Sequence, residues 1–72
     1  MAGALDVAAS LAHERWRKAV DNLWREVLFG RRARLEQRER ERLRRRLKNL
    51  RRIVRKALSE YHRLELERQA RP

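Results

Sequence analysis

At 72 residues the chain holds one domain at most, and with no Cys it has neither a disulfide framework nor a thiolate metal site to support a small core. No stretch approaches the ~20 apolar residues of a membrane span, and the start lacks the positive cluster that opens a secretory leader. The net charge of +11 belongs wholly to the second half: residues 1–30 hold four bases and four acids, residues 31–72 seventeen bases and six acids.

Such asymmetry points to an anionic partner: nucleic acid, an acidic protein or an anionic membrane surface. A Cys-free chain also fits a reducing, cytoplasmic setting. Asp6, Glu14, Asp21 and Glu26 speak against a mitochondrial presequence, because such peptides avoid acids.

The first predicted element is a helix from about residue 5 to Phe29. Leu5, Ala9, Ala12, Trp16, Val20, Leu23 and Val27 recur in steps of three and four, which places them on one face. Trp24 and Leu28 widen that face. Glu14 with Lys18, and Asp21 with Arg25, are acid-to-base pairs four apart on the outer surface. Asp6 is the expected N-cap, with Ser10 as the second choice. Gly30 stands where a left-handed C-terminal cap is expected, so the hinge is placed there.

The second predicted helix runs from about Arg32 to Gln69. Leu43, Leu47, Leu50, Val54, Ala57, Tyr61 and Leu64 alternate steps of four and three, a heptad seam flanked by Ile53 and Leu58. The expected fold is therefore all-α: two long helices hinged near Gly30, as a helical hairpin or coiled coil. Within one domain, residues 1–30 form a neutral association helix, 31–42 a charged spacer or the start of the second helix, and 43–72 a basic heptad helix. Glu36 with Arg40 and Glu41 with Arg45 can support helix in the spacer without a core.

A tight turn at Gly30 would set the Trp16–Val27 face beside roughly residues 33–45, which are poor in apolar side chains. On that reading, residues 31–42 protrude as a basic arm, or helix one pairs with helix two of another chain. Either way association is expected, most simply as a homodimeric four-helix bundle or as a subunit of a larger assembly. The expected association residues are Trp16, Val20, Leu23, Trp24, Val27, Leu28, Leu43, Leu47, Leu50, Val54, Tyr61 and Leu64.

Between positions 42 and 56 stand nine bases and no acid: Arg42, Arg44, Arg45, Arg46, Lys48, Arg51, Arg52, Arg55 and Lys56. They occupy almost every heptad position outside the seam. The chain has eighteen Arg against three Lys, and the planar Arg fork grips phosphate in two places. An arginine-rich helix can enter the groove of a distorted RNA or track a phosphate backbone. A charge run is also what an ordinary solvated helix face looks like. The membrane reading fits less well, because the apolar stripe of helix two is narrow and lacks Trp and Phe.

Trp16 and Tyr61 sit mid-stripe and read as packing residues. Trp24, at the border, reads equally well as an interface anchor. His62 and Glu65 are three apart, but two ligands do not make a metal site. Ser10 and Ser59 have no patterned base, and no Gly-rich phosphate loop occurs. No catalytic residue, metal or cofactor is expected.

Leu47-Lys48-x-Leu50-Arg51-Arg52-x-Val54-x-Lys56-x-x-Ser59-x-Tyr61 resembles the second helix of the small two-helix protein at the exit tunnel of the large ribosomal subunit. The likeness covers residues 47–61 together with overall length and basicity. The family's inter-helix spacing is shorter and its loop sequence is absent here. The resemblance implies a place in an RNA-rich assembly. The expected function is thus nucleic-acid binding, RNA ahead of DNA, without enzymatic activity. The alternative is a regulator, inhibitor or small subunit that docks on an acidic protein surface.

Overall fold

The computed structural model describes residues 3–71. They form two antiparallel helices, α1 (Ala4–Arg32) and α2 (Gln37–Ala70), joined by a four-residue link. The hairpin measures 55 × 17 × 13 Å. Its length matches that of α2, because 34 residues at a rise of ~1.5 Å span about 51 Å.

Both helices start in the same way. The Asp6 carboxylate accepts the backbone N–H of Gly3 (3.0 Å), and the Glu39 carboxylate accepts that of Glu36 (3.3 Å). Each acid lies in a first turn, where the exposed N–H dipoles favour negative charge. Asp6 is therefore the third residue of α1 rather than its N-cap, which is Gly3.

The hinge is three residues later than the sequence suggested. Gly30 is helical, and no described residue has a positive φ. α1 runs on to Arg32 and ends on Ala33, whose extended backbone (φ −85°, ψ 141°) still donates to the Phe29 carbonyl at 2.9 Å. Helix two starts at Gln37, not Arg32. The spacer assigned to residues 31–42 is accordingly divided among the end of α1, the link and the first turns of α2. It does not protrude as an arm.

This later turn removes the apparent mismatch between the helices. Gly30 lies against Leu43, Glu26 pairs with Arg46, Trp16 stacks on Tyr61, and Arg68 reaches Asp6. The Trp16–Val27 face therefore meets the apolar part of the α2 heptad seam, not residues 33–45. The helices pair within one chain, and the apolar-match argument for pairing between chains falls away.

The α1 side of the seam follows a strict four-three alternation: Leu5, Ala9, Ala12, Trp16, Ala19, Leu23, Glu26 and Gly30. Its fully buried members are Ala9, Ala12 and Ala19, the only buried residues among those described. Small side chains on α1 let the Leu-rich ridge of α2 come close, as interdigitated seams require. Val20 and Val27, expected in the stripe, are half-buried at its flank.

Candidate nucleic-acid interface

The α2 seam residues Leu43, Leu47, Leu50, Val54, Ala57, Tyr61 and Leu64 are all half-buried against α1. That orientation turns the positions between them outward. All nine bases from Arg42 to Lys56 are exposed. Two of them sit at the edge of the seam nearest Glu26. Arg46 reaches Glu26 (3.2 Å), and Arg42 borders a recess shared with Glu26, Phe29 and Glu39. Of the other seven, Arg45, Lys48, Arg52, Arg55 and Lys56 face outward, and Arg44 and Arg51 flank the seam on its opposite edge. Among the described residues none of those seven enters an ion pair. From Arg44 to Lys56 the basic surface extends about 18 Å along the axis, or some five 3.4 Å strand steps.

No acid falls within the run itself; Glu41 stands just before it. Glu60 pairs with Arg15 across the helices (3.4 Å), and Glu65 with Arg68 (3.0 Å) near the free end of the hairpin. The Arg68 pKa is raised above its ordinary value, first by the hydrogen bond to Glu65 and the Glu65 charge, and further by Asp6. Arginine is charged throughout the working pH range in any case.

Two further bases lie beside this surface. Arg34 and Arg40 join Arg44 and Arg51 around an open recess of about 910 Å³, floored by Ala33, Leu35, Leu43 and Leu47. The Arg40 Nε–H donates to the Leu35 carbonyl (3.0 Å), which fixes its guanidinium over the link. Sequence reading placed Arg34 and Arg40 in a spacer. The available signal was spacing, since Arg40, Arg44 and Arg51 recur on one helix face.

The residues assigned to association behave in two ways. Trp16, Val20, Leu23, Val27, Leu43, Leu47, Leu50, Val54, Tyr61 and Leu64 are half-buried within the hairpin itself. Trp16, His13 and Tyr61 form a ring cluster, with Trp16 nearly parallel to Tyr61 (6.3 Å between centroids) and His13 edge-on to it (5.0 Å). Trp24 and Leu28 remain 55% and 41% exposed, beside an equally open Phe29. Among the described residues no group of three potential ligands could hold a metal ion, and no helix is long and apolar enough to cross a membrane. Comparison with protein families, curated proteins and solved structures finds no match to this chain.

Proposed function

We propose that this chain is a non-enzymatic nucleic-acid-binding protein that grips phosphates through the outer face of α2, with RNA favoured over DNA. The supporting observation is the run of seven exposed bases, without an acid among them or an ion partner within the described residues. The hairpin is the scaffold: α1 covers the seam and leaves the basic half of α2 free. The preference for RNA rests on the arginine bias, because guanidinium planes stack on unpaired bases as well as binding phosphate.

The triple change Arg51→Glu, Arg52→Glu, Arg55→Glu tests the assignment. Binding to RNA and duplex DNA should be lost while helicity by circular dichroism is retained. Retained binding with a folded variant would remove these residues from the interface.

A second reading is docking on an acidic protein surface, favoured by the exposure of Trp24 and Leu28 on α1. In that case Trp24→Ala should weaken the complex by more than ~2 kcal/mol, as expected for an aromatic anchor. A change within ~0.5 kcal/mol would exclude Trp24 from such a contact.

A further inference from the structure

α1 carries a second heptad pattern on the side away from α2. Val7 and Leu11 begin it and Leu28 ends it; all three are exposed, at 50%, 53% and 41%. Glu14, Lys18, Asp21 and Arg25 fill the positions between, in the same alternation of four and three. These four charges were expected to pair along the helix as Glu14 with Lys18 and Asp21 with Arg25. In the structure neither pair closes, and none of the four enters another ion pair among the described residues.

The pattern is complementary to itself when reversed. Set antiparallel on a second copy about a two-fold axis between Lys18 and Asp21, the stripe brings Lys18 opposite Asp21 and Glu14 opposite Arg25. The same register sets Leu11 opposite Leu28, with Phe29 beside it on the same edge. Val7 then falls opposite Arg32, whose aliphatic stem can cover it while the charged end stays in water. Each of these pairings occurs twice in such an isologous contact, because one axis relates the two copies. A stripe of random charge order would place like charges together, which disfavours association.

We infer that the outer face of α1 is the docking surface for a second copy of this chain, packed back to back and antiparallel. This contact is not the four-helix bundle that the inner stripes suggested, since those stripes are consumed within each hairpin. The arrangement also resolves the repulsion expected between two chains of +11 charge. The α1 helices, balanced in charge up to Gly30, meet, and the basic faces of α2 point outward on opposite sides. They are then separated by at least two helix diameters, roughly 20 Å, or more than two screening lengths at physiological salt. The dimer presents two polyanion-binding faces in opposite directions, so it can bridge two strands.

Oligomeric state measured by sedimentation equilibrium, free of nucleic acid, at about 100 µM protein tests the inference, since even a weak dimer is populated there. The native chain should dimerise. Lys18→Glu sets an acid against Asp21 of the second copy, and Asp21→Lys sets a base against Lys18. Each variant alone should therefore associate more weakly, by on the order of tenfold or more. An equimolar mixture of the two should regain native affinity, as a heterodimer in which both charged layers are complementary again. Helicity of each variant by circular dichroism separates loss of contact from loss of fold. A monomeric native chain, or a mixture no better associated than its components, would overturn the inference. These outcomes are independent of whether the arginine face binds nucleic acid.

Discussion

A methyl group added at Gly30 would meet Leu43 Cδ2 at 2.5 Å and Leu43 Cγ at 3.7 Å. Gly30 thus serves close helix approach, not chain reversal. The obstructing atom is the end of a half-buried, flexible side chain, so Leu43 can yield to one methyl. Gly30→Ala should then leave stability within ~1 kcal/mol of native, because the gain in helix propensity offsets the crowding. Gly30→Val should cost more than ~1 kcal/mol, since a branched side chain cannot be cleared by one rotamer change. Urea unfolding midpoints check both; a large loss for Gly30→Ala would indicate the left-handed cap expected from sequence. Glycine after an apolar stripe fits either role, and only the position of the partner helix decides between them. Tyr61 was legible as a packing residue from its place in the seam. Its ring cluster with His13 and Trp16 was not, since that depends on the register between helices. Tyr61→Ala should destabilise by about 1–3 kcal/mol in the same assay, and Tyr61→Phe by under ~0.5 kcal/mol, because the ring contacts persist without the hydroxyl.

At the level of elements, both helices and the α2 seam could be read from spacing alone. The α1 seam was only partly readable. Val20 is larger and more apolar than Ala19, and Val27 is far more apolar than Glu26, so hydrophobicity drew the stripe toward them. Burial instead follows the strict heptad, and the smallest side chains are the most buried. Ala12, at 2% exposure, is the tightest point. Ala12→Leu should force the helices apart and cost about 1–3 kcal/mol, as overpacking of a filled site does. Leu11→Ala, one residue away but facing outward, should leave the stability of the isolated hairpin nearly unchanged. Equal effects of the two changes would contradict the assigned rotation of α1. The link was misplaced because it contains no Gly or Pro. Ala33 and Glu36 bracket the link with ordinary extended backbone, no residue of it takes a positive φ, and the Arg40 bond to the Leu35 carbonyl helps hold it.

For the whole molecule, the charge distribution decides behaviour more than the core does. Three buried alanines and a half-buried seam leave little apolar surface fully removed from water, and a chain of this size is marginal on its own. A ligand that binds only the folded state should therefore have a large effect on melting. At a ligand excess of about 100 times Kd the gain is ~2.7 kcal/mol, which should raise Tm by roughly 10 °C or more in a domain this small. The asymmetry of charge was evident from the sequence, and so was its location between Arg42 and Lys56. Only the structure separates the seven bases without an ion partner among the described residues from Arg46, held by Glu26, and Arg42, beside the same acid, and that number sets the salt dependence. The most direct test is a titration of binding to labelled RNA and duplex DNA against salt, with protein freed of nucleic acid in high salt and nuclease. Seven phosphate contacts predict log–log slopes of about −5 on single strands and about −6 on duplex DNA, with Kd tighter than roughly micromolar near 0.15 M salt. Slopes near zero, or binding already lost at that salt, would contradict a phosphate-gripping function for the arginine face.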